Sequence, residues 1–441
     1  MKEKNVKSKI TARNLMILWL VGFVGQLCWN VENQWFNTFV YAKISPDPSI
    51  IAWMTAVSAA MTTISTFVFG TMSDRIGKRR PFIFFGYIFW GLFTIAYGAT
   101  EFLPKDPIIL ACIMVVAMDA VMSFFGSMGN DSGFNSWTTD ISNEHNRGQL
   151  GGILAVQPVL ATIIGTVVSG MIIEYFGYFA FFIIIGIFVS VVGALGFFLM
   201  REAPALRPVR DENGFWHQFI SVFNFKNFLK NKELFYVFFV VTAYFICFNI
   251  YFVHIGNYFI YTLGYSEGDA GLIQGVGLLI AVLSTIPATR FINNGKHHLV
   301  VITSIIVTIM GLLVLGFTKE NLILIEIGII LVGAGYVLIL QTTTAWVKNL
   351  YPENQRGQYE GIRILFFVLF PMIIGPAIAS PIITRWGKEI IVNGIPGASP
   401  TGELFFFAAA FTIFTFIPLY FAMREKKRNL ALKNTDNSIG E

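Results

Sequence analysis

Twelve separate stretches of this chain are apolar for about 20 residues or more, the length a helix needs to cross the ~30 Å hydrocarbon layer of a membrane. They lie at 15–41, 50–72, 81–100, 108–138, 149–173, 177–200, 234–263, 268–291, 299–317, 321–347, 358–384 and 402–423. A barrel strand would need only ~9–11 residues, so runs of this length read as helices. Composition agrees: 13% of the 441 residues are charged, against about 25% in soluble domains. The 45 Phe and 40 Gly suit helices packed in lipid. The expectation is an all-α polytopic membrane protein with twelve transmembrane helices.

Between the sixth and seventh spans lies 201–233, the longest polar segment. Its part "FWHQFISVFNFKNFLKN" has aromatic residues at helical spacing and reads as an amphipathic helix on the membrane surface. The chain therefore divides into an N-terminal six-helix bundle (1–200), a linker (201–233), a C-terminal six-helix bundle (234–423) and a tail (424–441). Of the 31 Lys and Arg, 25 fall in segments on the N-terminal side of the membrane, five fall opposite, and Arg363 lies within a span. Positive charge marks the cytoplasmic side, so both termini are expected there, in the cell membrane. The net charge of +5 follows this topology and gives no reason to expect a nucleic acid partner. The first apolar stretch is too long, and too polar in its middle, for a signal peptide, and is expected to be an uncleaved span. Cys28, Cys112 and Cys247 lie in apolar segments without metal-ligand spacing, so no metal site is expected. No cofactor motif or enzyme signature appears in a plausible context, and a monomeric carrier is expected.

The two halves echo each other. "EHNRGQLGGI" (144–153) returns as "ENQRGQYEGI" (353–362), and Trp137 and Trp346 stand at the same offset. Parallel repeats about an axis along the membrane normal belong to transporters, with the solute site between the halves near mid-membrane. "GTMSDRIGKRRP" (70–81) joins the second and third spans. Gly70 is expected to permit close helix approach and Gly77 a tight turn, and Asp74 to favour the next helix N-terminus. Arg75 and Arg80 are expected to hold the loop on the cytoplasmic side. This stretch closely resembles the loop 2–3 signature of the major facilitator superfamily, and "TRFINNGKHH" (289–298) is a degraded counterpart. The resemblance implies alternating access by rocking of two pseudo-symmetric bundles.

"GQLCWNVENQW" (25–35) resembles helix 1 of sucrose:proton symporters, which carry an acid or amide, an aromatic, and an acid or amide three residues on; Gln26, Trp29 and Glu32 hold those positions. The glycoside–pentoside–hexuronide:cation symporters share the general plan. Sodium-using members of that group have acids in helix 2, where this chain has Thr62, Thr63, Ser65 and Thr66. That departure favours protons. Asp131 resembles the helix-4 acid of the glycoside group, whereas the sucrose group places its acid where this chain has Phe124 and Met128. The subgroup stays open.

Ionisable residues inside a span are costly and either line a wet path or pair with a partner. Glu32 and Asp119 come out at similar depth by counting 1.5 Å per residue. Asp119 is a proton carrier, a sugar ligand, or a buried acid satisfied by hydroxyls; Asp131 has the same choices, or serves a gate. Asn33, Trp35, Asn249, His254, Asn257 and Gln341 are further candidates for binding or coupling, with interhelical glue as the alternative. Trp29 and Trp35 offer apolar ring faces to a pyranose, and neighbouring amides and Glu32 suit its hydroxyls. Arg147 with Glu144, and Arg356 with Glu353, read as gate or packing ion pairs. The leading expectation is sugar:proton symport for a disaccharide or other glucoside. A same-fold carrier of a drug, lipid or organic acid, and a sodium-coupled glycoside symporter, remain alternatives.

Overall fold

The computed structural model describes residues 10–142, 146–204, 206–209, 214–221, 231–351 and 362–439. Among them, eleven helices are long and apolar enough to cross a membrane. We label the first four α1 (Ala12–Ile44), α2 (Pro48–Ile76), α3 (Arg80–Phe102) and α4 (Ile108–Asp140). The fifth, Arg147–Leu199, has 53 residues. At 1.5 Å per residue it would reach about 80 Å, far more than one crossing. It is broken at Gly177, whose backbone leaves the helical region (φ 81°, ψ 169°), and so supplies α5 (147–176) and α6 (178–199). Then follow α7 (Lys232–Thr262), α8 (Glu267–Asn293), α9 (His297–Phe317), α10 (Leu322–Leu350), α11 (Ile362–Trp386) and α12 (Gly402–Asn429), the last continuing helical to Ile439. With that helix counted as two, the described residues hold twelve apolar helices at the places expected for crossings.

Local chemistry sets the ends. Asp47 caps α2 by accepting the Ser49 N–H (2.8 Å), with Pro48 at the first helical position. Gly77 ends α2 in the left-handed conformation (φ 70°). A side chain there would also run into Pro208. Ser266 caps α8 and Asn321 caps α10. Of the amphipathic stretch, a short helix Phe215–Ser221 is described, lying against α2; residues 222–230 lie outside the described residues.

One hydrophobic core runs through α1–α6, from Ile17 to Met200. Three clusters hold α7–α12, around Val237, Ile305 and Trp346, around Tyr258, Leu312 and Phe405, and a small one of Ala288, Ile292, Val300 and Leu338. The segment between α11 and α12, expected only as an external loop, is an antiparallel hairpin: β1 (Lys388–Val392) pairs with β2 (Ile395–Ser399). Its turn is Asn393–Gly394, both at positive φ (53° and 80°), the geometry that the right-handed twist of a two-residue hairpin selects. The hairpin marks one end of the bundle, and the 70–81 loop marks the other, basic end.

Candidate functional site

α1 is buried on most sides. Phe23, Gln26, Trp29 and Asn33 are the half-buried positions between Val21 and Phe39, spaced by three, three and four residues. That spacing sets them on one face. An amide, an indole and a second amide thus form a polar stripe, with Trp29 tilted against Trp90 (centroids 4.8 Å apart). Glu32 lies beside the stripe, turned inward and 5% exposed.

Helices α2 and α4 bring two serines to Glu32. Ser58 donates to Glu32 Oε1 (2.7 Å), and so does Ser123 (2.8 Å). The two hydroxyls are themselves 2.7 Å apart. Ser123 lies one turn from Asp119 and also reaches its main-chain carbonyl (2.9 Å). Asp119 is 1% exposed and close enough for its charge to act on Glu32. Glu32 Oε2 and Asp119 Oδ1 have no hydrogen-bond partner among the described residues. No Lys, Arg or His forms an ion pair with either acid among the described residues. Two uncompensated carboxylates this deep would be costly, so the arrangement suits acids that exchange a proton or meet a mobile cation.

The other predicted residues are spread out. Asp131 sits in a π-helical segment of α4, Met128–Phe134, takes the Asn130 amide (3.2 Å), and lies within reach of the Arg363 charge on α11. Such widened turns recur at functional sites. Trp35 does not join Trp29. It is 1% exposed, and its ring fills the crossing of α5 and α8 against Gly170 and Gly271. Asn249 donates to the Phe245 carbonyl of its own helix (2.8 Å) and packs on Gly375. His254 is fully buried at the break in α7, with both ring nitrogens unpartnered among the described residues. Asn257 reaches across to the Asn37 carbonyl (3.3 Å), and Gln341 ties α10 to Thr289 of α8 (3.0 Å).

At the basic end two expectations need correcting. Asp74 does not serve the start of α3; it lies in the last turn of α2 and pairs with Arg79 (2.6 Å). The α3 N-terminus is instead taken by Glu202, which accepts the main-chain N–H of Arg79 (3.0 Å) and of Arg80 (2.9 Å). Gly70 does not mark a close approach, since a Cβ there would meet nothing within 4 Å. Arg79, buried, bonds Asp74, Asp140 (2.8 Å) and Ser73 (2.5 Å), and so ties α2 to α4. Arg75 donates to Gln218 (3.1 Å), and Arg80 lies over Phe197 (4.7 Å). Glu144, Glu353, Arg356 and the Arg147 side chain lie outside the described residues.

Ser58, Ser123, Asp140 and Glu202 were not among the expected residues. Serines are common in packed membrane helices, and nothing in the one-dimensional pattern singles out the two that turn toward Glu32.

Residues 18–294 and 255–438 match the pattern of the Major Facilitator Superfamily. A curated human protein, MFS-type transporter SLC18B1, is 25% identical over 197 residues, which are 44% of this chain and 41% of that protein, so the match spans less than half of the relative's length. Among solved structures, a bacterial homologue of the human lysosomal transporter Spinster superposes with a TM-score of 0.71 at 13% identity, covering 94% of this chain and 97% of the other. The nucleoside transporter NupG superposes with a TM-score of 0.64 at 11% identity, covering 94% and 99%. At such identities the superpositions speak for the fold alone. With the family pattern running through both halves, the chain belongs to the major facilitator superfamily and is a multi-pass membrane protein.

Proposed function

We propose that this protein is a carrier, not an enzyme, that moves a sugar, a disaccharide or another glucoside, together with a proton. The observation that carries the reading is the pairing of Glu32, hydrogen-bonded by Ser58 and Ser123, with a half-buried amide–indole–amide stripe on the same helix. The stripe offers neutral hydrogen-bonding groups and a ring face, which suit a neutral polyhydroxylated solute. Glu32 and Asp119 beside it supply a site for the coupling ion. The halves 1–200 and 234–423 rock about this site, with 201–233 as their linker. The 70–81 loop, both termini, the linker and the tail 424–441 face the cytoplasm, and the hairpin faces outward across the cell membrane.

A second reading replaces the proton with sodium. It rests on the all-oxygen character of the four side chains, two carboxyls and two hydroxyls, which suits a hard cation. Uptake of a panel of labelled sugars into vesicles separates the readings. A proton gradient should drive accumulation of at least one disaccharide or glucoside, and a protonophore should abolish it. Sodium-driven uptake that survives the protonophore would transfer the coupling to sodium. Failure of every sugar to accumulate would remove the sugar assignment.

A further inference from the structure

The two halves meet closely at the hairpin end. There Glu174, in the last turn of α5, crosses to the start of α8 in the other half. Its Oε2 accepts the main-chain N–H of Gly268 (3.0 Å) and the hydroxyl of Ser266 (3.1 Å). The first N–H groups of a helix have no partner within it. Ser266 takes one of them, the N–H of Asp269 (3.1 Å), and Glu174 takes another. The approach depends on Gly268, because a Cβ at that position would fall on the Glu174 carboxylate. Immediately below, the α5–α8 seam stays closed. The Glu267 carbonyl lies against Gly170, the Thr166 carbonyl against Gly271, and Gln34 bonds both Gln274 (2.5 Å) and Thr166 (2.9 Å).

We propose that Glu174 is the latch of this seam: a carboxylate of one half that caps a helix of the other, and so holds the hairpin end shut. Closure at this edge then depends on one helix cap formed between halves. Glu267 and Asp269, in the same turn of α8, add two more negative groups, with the Tyr178 hydroxyl 3.5 Å from Glu267. The helix N-terminus and the two donors hold Glu174 there against that like charge. On the opposite flank the β1–β2 hairpin fastens the same end by main-chain contacts. The Ala398 N–H reaches the Pro46 carbonyl (3.0 Å), and the Tyr41 hydroxyl reaches the Ala398 carbonyl (2.9 Å). Those contacts involve no ionisable group except the phenol, so charge acts on closure along the α5–α8 edge, where Glu174 takes the helix cap.

The inference rests on the alternating-access reading but not on the identity of the solute, and its test uses none. In protein with Cys28, Cys112 and Cys247 replaced by Ala, Thr38→Cys places a thiol at a fully buried position behind the seam. Maleimide labelling of the purified protein reports opening. Glu174→Ala and Gly268→Ala, changes on opposite sides of one contact, should each raise the labelling rate by about fivefold, the effect expected for loss of a helix cap. Glu174→Gln, which still presents an acceptor to Gly268 and Ser266, should label more slowly than Glu174→Ala. A parallel protein with Ser304→Cys, buried inside the second half, should keep its rate. Unchanged labelling at position 38 in both alanine variants would overturn the latch, as would an equal rise at position 304, which reports general loosening. Failure of the unmodified protein to accumulate any sugar in the vesicle assay above, with labelling as expected, would count against the sugar reading and leave the latch standing.

Discussion

Two glutamates of this protein are equally buried, each 5% exposed, and their partners could hardly differ more. Glu233, in the first turn of α7, accepts the Trp346 indole N–H on one oxygen and the Asn429 amide on the other, both at 3.0 Å. Lys426 stands over the same indole (5.3 Å). An indole N–H can only donate, so a Glu233 oxygen must accept, and the first turn of a helix favours a negative charge there. Glu233 fastens α10 and α12 to α7. Among the described residues Glu32 has only hydroxyl partners, both on one oxygen. A hydroxyl donates or accepts as it rotates, so Ser58 and Ser123 can follow Glu32 through loss and gain of a proton without rearranging a helix. Burial alone therefore does not distinguish the two acids; the chemistry of their partners does, and the proposal gives the coupling role to the one held by hydroxyls.

The largest effect that tests the contrast comes from removing charge at each site. Glu32→Gln should fold, reach the membrane and lose gradient-driven accumulation of solute altogether. If Glu32 also binds the solute, exchange without a gradient weakens too. Wild-type accumulation at normal expression would end the argument for Glu32. Asp119→Asn should cut coupling less, by roughly five- to tenfold, a typical coupling energy between two ligands of one protein. Equal accumulation in the mutant and the wild type would leave Asp119 as a packed polar residue.

At the other glutamate the readout changes. Glu233→Ala strands the Trp346 N–H and the Asn429 amide, and should lower stability by about 2–4 kcal/mol while accumulation per folded molecule holds. Glu233→Gln should recover most of that loss, because a glutamine can face Trp346 with its oxygen while Asn429 turns its amide over. Thermal unfolding in detergent checks both variants. A Glu233→Gln protein that is stable but uncoupled would break the division of roles.

How much of this was legible in the sequence follows from what one-dimensional patterns encode. Apolar run length placed the helices, and the glycine that parts α5 from α6, Gly177, is the first residue of the expected sixth span. The burial of Glu32 was readable as an acid within an apolar run. Depth counting set Asp119 level with it, and Ser123 joins the two. Rotation about each helix axis was not readable. Trp29 and Trp35 looked equivalent, yet six residues turn the second into the α5–α8 crossing. The helix-2 hydroxyls were noted at positions 62–66, but the one that bonds Glu32 is Ser58, a turn earlier. The hairpin is legible in "VNGI" (392–395), an Asn–Gly turn between β-branched residues, a signal that the charge pattern of the segment does not carry. Glu202 is contiguous with α3 in space and more than a hundred residues away in the chain, so no local pattern could assign it.

The smallest predicted effect is the most direct test of hydroxyl partners. Ser123 touches both acids' helices: it donates to Glu32 and lies against the Asp119 carbonyl. Ser123→Ala leaves Glu32 with Ser58 alone and removes that link. A neutral hydrogen bond contributes about 1 kcal/mol net, so accumulation should fall by roughly fivefold, well short of the loss in Glu32→Gln. Ser58→Ala should act similarly, since Ser58 bonds the same oxygen, and the double variant should not exceed Glu32→Gln. Ser123→Thr restores the hydroxyl and should restore accumulation. The threonine comparison separates chemistry from packing, because alanine changes both the hydroxyl and the filled space. If alanine and threonine at position 123 accumulate solute alike, the hydroxyl is idle. Glu32 would then differ from Glu233 only in where it is buried.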